Sequence, residues 1–288
     1  MLFATSLIQR TPIFGRMFKI DTSTGLEEIN AWPALMMMAS FIWLTIAILL
    51  GISMPVAQIL ELDGSTYYTA ITAHGAAMAF PFMFQLMVAV GIHRAGGCVG
   101  SPITGFWPAA FFWCMNVGGA LLAIAVLCGL KISYAVMYPL PIVGVQTGQW
   151  EMWHVILGFT GIAGVLISVI LVYPILVIKM LFLDKPREEL ILSARTLRDP
   201  GMLGMAMAAF VLLIMGSPLI IVASAVLLAL YGILPMAWIT WATDPMIFQF
   251  VFYIFAHNLM EAMAIMVVSA VYATLPLYLA DGSKKLYS

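Results

Sequence analysis

The stretch Asp244–Pro276, DPMIFQFVFYIFAHNLMEAMAIMVVSAVYATLP, is apolar over more than the ~20 residues one bilayer crossing needs, yet a histidine and a glutamate sit near its middle. Four residues span about one helical turn. His257 and Glu261 therefore project from one face of the helix and share one site. A carboxylate in hydrocarbon is expensive enough that an intramembrane acid marks function by default, and its nearest neighbour in sequence is an imidazole. The pair points to a bound metal or to a proton path.

Composition sets the class. With 64% hydrophobic and 9% charged residues, and apolar runs recurring along the chain, the sequence describes an all-α integral membrane protein. A soluble domain would need far more polar surface, and no nucleic-acid partner is expected. Cys98, Cys114 and Cys128 show no CxxC pattern and read as small apolar residues. Arg10, Arg16 and Lys19 follow the first apolar residues rather than preceding them, and no A-x-A site comes after. The start of the chain therefore does not read as a cleaved signal peptide.

Residues 1–31 read as a cytoplasmic or interfacial lead-in, in which Thr24 and Glu27 predict a capping box for a short helix before Pro33. A six-helix transmembrane domain follows over 32–280, then a cytoplasmic tail over 281–288. The spans are expected at about 33–60, 66–92, 106–130, 151–180, 202–234 and 244–276, with His93-Arg94-Ala95-Gly96-Gly97 as a polar turn. With both termini in the cytoplasm, Arg10, Arg16, Lys19, Arg94, Lys179, Lys185, Arg187, Arg195, Arg198, Lys284 and Lys285 all fall inside, leaving Lys131 outside. The acids divide between the inner segments and the outer edge. Glu261 is the one placed within a span.

Helix rise sets His257 roughly 15–20 Å below the outer end of its span and His74 about 12 Å below the outer end of the second. His93 and His154 fall near span ends, where an imidazole reaches water. Around His74 the chain reads Tyr67-Tyr68-Thr69-Ala70-Ile71-Thr72-Ala73-His74-Gly75-Ala76-Ala77-Met78. Small residues beside a histidine leave room for a flat macrocycle, and are also common at membrane helix contacts.

This string, Tyr-x-x-x-x-Thr-Ala-His-Gly-x-x-Met, resembles the second helix of the catalytic subunit of haem-copper oxidases, in which the histidine is an axial ligand of the low-spin haem. The sixth span is similar to that subunit's sixth helix, particularly in B-type enzymes, where an Asp-Pro precedes the first histidine of the active-site metal. The loop carrying Tyr138-Pro139-Leu140-Pro141 looks like the B-type loop between helices three and four. The resemblance covers about residues 24–288 and implies the first half of a twelve-helix bundle. It departs from oxygen reductases at one position. Where their A- and B-types carry a crosslinked tyrosine, this chain has Glu261, and His257-x-x-x-Glu261 is similar to nitric oxide reductases, whose glutamate sits at a non-haem iron. A hard carboxylate suits iron and an all-imidazole site suits copper.

The resemblance implies the following roles. His74 is the low-spin haem ligand, and His257 is a ligand of a non-haem iron or copper set against a high-spin haem. Glu261 is a further ligand or a proton donor. A second membrane chain is expected to supply the remaining helices and ligands, making a split catalytic subunit fed by a cytochrome, a cupredoxin subunit or quinol in the plasma (cytoplasmic) membrane. NO reduction to N2O is slightly favoured over oxygen reduction. Asn258 after the histidine is similar to C-type oxidases and keeps oxygen open. From other classes come a proton-coupled transporter built on His257 and Glu261, against which no inverted repeat is visible, and a non-catalytic anchor, which leaves Glu261 unexplained. Thr72, Ser217, Ser224, Thr240, Ser269 and Tyr272 are candidates for a proton path, weighed against bonding within the helix packing. The many methionines read as packing.

Overall fold

In the computed structural model, residues 16–21, 25–62, 64–128, 130, 150–183 and 199–275 are described. Six helices are long and apolar enough to cross a membrane. We label them α1 (Ala31–Ile59), α2 (Thr69–Val99, with one helical turn before it from Gly64), α3 (Phe106–Leu127), α4 (Met152–Leu181), α5 (Pro200–Leu230) and α6 (Pro245–Thr274). The Tyr138–Pro141 loop, the charged segment 184–198 and the tail from 276 onward lie outside the described residues, as does Thr24.

Two of the helices start the same way. Asp199 and Asp244 are N-caps followed by proline: Asp199 Oδ1 accepts from Met202 N at 3.2 Å and Asp244 Oδ1 from Ile247 N at 3.0 Å. The cap satisfies an otherwise unpaired amide, and proline is well suited to a position whose N–H has no helical partner.

Packing around the helices is dictated by small residues. α3 and α4 touch backbone to backbone, since a Cβ on Gly118 would lie 2.8 Å from Gly161 O and one on Gly161 would lie 2.6 Å from Gly118 O. Without a hydrophobic drive between helices in lipid, such close van der Waals approach is what holds them. α5 and α6 form the other close pair, with Ser269 seated in the space left by Gly204. The core between these layers is built from Phe84, Phe111, Tyr173, Leu212 and Met205, and from Met36, Met115, Met263 and Met266, so those methionines do pack.

Two expectations are corrected, one near the start of the chain and one at the end of α2. Glu27 lies in a strand, not a capped helix: β1 (Lys19–Asp21) pairs antiparallel with β2 (Glu27–Ile29), and Lys19 Nζ meets Glu27 Oε2 at 2.5 Å. Gly25, at φ +73°, takes a backbone conformation open to glycine shortly before β2. The expected turn at 93–97 is helical, and α2 ends instead at Gly100, whose φ of +66° makes a left-handed cap. Gly96 continues the helix because the hairpin packs there: a Cβ would come within 2.7 Å of Asn30 Nδ2. His93 is covered as a result. Its ring meets Phe18 edge-on at 4.9 Å, and its Nδ1 is buried with no hydrogen-bond partner.

Arg94, in the last turns of α2, reaches the start of α5. Its Nη2 is 2.6 Å and its Nε 3.2 Å from Asp199 Oδ2. One carboxylate thus caps α5 and ties it to α2. Asp199→Ala should lower stability by about 1–3 kcal/mol, combining a lost cap of ~1 kcal/mol with loss of the part-covered ion pair to Arg94. Thermal unfolding in detergent measures this, and Asp199→Asn, which keeps the cap oxygen, should lose less.

A polar knot that the sequence reading missed joins α1, α2 and α3 inside the apolar core. Gln85 Nε2 donates to Met36 O at 3.1 Å and to Ser40 Oγ at 3.3 Å, while Asn116 Nδ2 donates to Gln85 Oε1 at 2.7 Å. Trp43 Nε1 closes it on Asn116 Oδ1 at 2.9 Å. Isolated Gln and Asn residues inside apolar runs were the available signal. Gln85→Leu should cost about 1 kcal/mol, the scale of an interhelical hydrogen bond in lipid, read as a lower unfolding midpoint.

Candidate functional site

The sixth helix shows how its site is placed. α6 buries Phe255, Leu259, Ala262, Met263 and Met266 and turns the opposite face outward. Phe250, Tyr253, Met260, Val268 and Val271 line that outward face, and His257 and Glu261 lie on it with them. Helical spacing brings the two together as expected: His257 Nε2 is 3.3 Å from Glu261 Oε1. Their side chains are 74% and 56% exposed on the six-helix bundle. An apolar outward face belongs in lipid, but an imidazole and a carboxylate on it do not.

The donor chemistry fits a metal in part. For bonds near 2.1 Å, donor atoms at neighbouring positions around a first-row ion sit about 3.0–3.4 Å apart, which matches this separation. One nitrogen and one oxygen donor form an incomplete set. Among the described residues there is no group of three or more His, Cys, Asp or Glu side chains able to hold a metal. The neighbouring Asn258 is engaged within its own helix, Nδ2 donating to Ile254 O at 2.7 Å.

His74 stands on another helix and is not joined to the pair. It is half-buried against α1, and its Nδ1 lies 2.8 Å from the carbonyl oxygen of Ala47. A carbonyl only accepts, so Nδ1 carries the proton, and in the neutral ring Nε2 keeps its lone pair. This is the arrangement of a metal-ligating histidine, whose second nitrogen is fixed by a partner. The next residue, Gly75, is exposed, and a Cβ there would meet nothing within 4 Å, leaving open space beside the ring. The residues at His74 therefore fit an axial haem ligand. Directly beyond them, α2 widens into a π-helical stretch, Met78–Phe84, around Pro81, which has no N–H to continue the α-helical ladder.

The other candidates fall elsewhere. The His154 ring lies against Trp153, tilted by 44° with ring centroids 3.8 Å apart, and its Nε2 is buried without a partner. Ser217 Oγ donates within its own helix to Ile214 O at 3.0 Å, and Ser269 fills the contact with Gly204. Tyr272 is exposed. The three cysteines are free thiols.

Among known proteins the chain matches the family model described as cytochrome c and quinol oxidase polypeptide I, over residues 33–288. No curated protein and no solved structure matches. The match spans all six membrane helices, with the half-buried histidine of α2 and the ionisable pair of α6. The chain therefore belongs to the family of cytochrome c and quinol oxidase polypeptide I, the haem-copper oxidase subunit I, and is a multi-pass membrane oxidoreductase of respiratory type.

Proposed function

We propose that these six helices form part of the catalytic core of a nitric-oxide-reducing member of the family, with His74 as axial ligand of a low-spin haem and His257 and Glu261 as ligands at the non-haem metal of a binuclear site. The observation that carries this reading is the His257–Glu261 pair, 3.3 Å apart on an outward face of α6. Left in lipid, an ionised carboxylate at this depth would be unfavourable by about 2.5–3.5 kcal/mol or more. Further helices, with further ligands, cover it. The remaining metal histidines and haem ligands come with those helices.

A redox metal held by His257 and Glu261, together with a high-spin haem, would supply the two electrons that, with two protons, convert two NO to N2O and water. The chain's own residues do the rest. His257 offers an imidazole nitrogen and Glu261 a hard carboxylate oxygen, a mixed set that favours iron over copper. The same carboxylate can take up and release a proton beside the reacting oxygen. No tyrosine follows His257 by four residues, and NO reduction breaks no O–O bond that would require one. Electrons reach His74's haem from a cytochrome, a cupredoxin subunit or quinol. We read the chain as a plasma-membrane protein with both termini in the cytoplasm, a sidedness that the distribution of Lys and Arg supports.

The family's description names cytochrome c and quinol oxidases, which keeps oxygen reduction as the competing reading. Metal analysis of the complex purified from membranes, with its reduced-minus-oxidised spectrum and its rate of NO consumption, separates the two. Haem bands with non-haem iron and no copper are expected. Copper at the site with O2 uptake would overturn the NO reading, and purification without a companion membrane chain would overturn the split arrangement.

A further inference from the structure

We infer that Gly51 on α1 is a positioning residue that sets the ring plane of His74, acting together with the Ala47 carbonyl one turn before it; the inference rests on the reading of His74 as a haem ligand. Ala47 and Gly51 are four residues apart and so stand one above the other on the same face of α1. His74 lies against both. Its Nδ1 donates to Ala47 O at 2.8 Å, and a Cβ built on Gly51 would lie 3.2 Å from Cε1 and 3.3 Å from Nδ1. Those separations are below ordinary van der Waals contact between carbon atoms, about 3.5–4.0 Å.

The geometry makes residue 51 act on the ligand atom. Cε1 is bonded to both ring nitrogens, so pushing it away from α1 swings Nε2 while pulling Nδ1 off its carbonyl. Ala47 O cannot follow, because it belongs to the helix backbone, and Ala47 itself is fully buried. Glycine here gives the imidazole a notch in α1 deep enough for the ring to lie flush and still reach the carbonyl. A methyl group forces a tilt of a few tenths of an ångström, and a branched side chain forces the ring out. A hydrogen bond at Nδ1 increases the basicity of Nε2. Weakening it should favour the reduced haem, so the midpoint potential rises.

The test uses the complex purified with all its chains, carrying Gly51→Ala, Gly51→Val or His74→Ala, with Gly97→Ala as a control. Gly97 is on exposed surface of α2, and a Cβ there meets nothing within 4 Å. The readouts are haem content, low-spin g-values by paramagnetic resonance and the midpoint potential of that haem. Gly51→Ala is expected to keep the haem, shift its g-values and raise its potential. Gly51→Val should lose the low-spin signal, and Gly97→Ala should change nothing. If His74→Ala abolishes the low-spin signal while Gly51→Ala leaves g-values and potential at those of the unaltered complex, the positioning role is refuted and the ligand reading stands. If His74→Ala leaves the signal in place, the ligand reading itself fails. Should Gly51→Val not assemble, Gly51→Ala decides.

Discussion

His74→Ala should strip the low-spin haem from the purified complex while leaving the rest of the chain folded. The side chain is half-buried against α1, and its one observed polar contact is the Nδ1 hydrogen bond to Ala47 O, so alanine removes a ligand and a single interhelical bond. In lipid such a bond is worth about 0.6–2 kcal/mol, too little to unfold a six-helix bundle. The reduced-minus-oxidised spectrum should lose its low-spin bands, and electron entry should stop with them. Because the substitution leaves a ring-shaped space beside Ala47 O and Gly51, added imidazole is expected to restore part of the signal. An unchanged spectrum would mean that the ligand is another residue.

The second large effect is expected at Glu261. Replacing it with alanine removes a charged donor lying 3.3 Å from His257 Nε2. Substitutions one shell further from a metal already weaken affinity or activity by about 10–100-fold, so loss of a direct ligand should reduce turnover by on the order of 100-fold or more, with loss of non-haem iron. Glu261→Gln keeps the shape and discards the charge. If the carboxylate is a ligand, the glutamine variant should also lose iron, since an amide oxygen is a weaker donor. Full iron occupancy with turnover abolished would assign Glu261 to proton delivery instead. Iron and activity both unchanged would remove it from the site. Folding is not expected to suffer in either variant, because the side chain is 56% exposed on α6 in the described bundle.

What could be read from the sequence was whatever helix geometry and the bilayer fix locally. Six apolar runs had to become helices, because hydrocarbon offers backbone amides no other partners. Their approximate ends followed from where polar residues return. The same locality brought His257 and Glu261 together, since a spacing of four on a helix leaves little choice. Prediction failed where the outcome depended on a neighbour. Thr24 and Glu27 spelled a capping box, yet Glu27 pairs with Lys19 across a hairpin that packs on α2. His93 and Gly96-Gly97 looked like a turn, but the contact with Asn30 and Phe18 and the ion pair of Arg94 with Asp199 stabilise further helix up to Gly100.

The sequence by itself determined the membrane class, the six spans and which ionisable residues fall within them. Only the tertiary structure decided which way they face and what holds them: the outward turn of His257 and Glu261, the Ala47 carbonyl and Gly51 notch that orient His74, and the Gln85–Asn116 knot between α1, α2 and α3. The physical reason is range. Spacing along one helix is set by 3.6 residues per turn, whereas the partner of a side chain across helices is set by how two surfaces pack, and residues 47 and 74 meet only once they have.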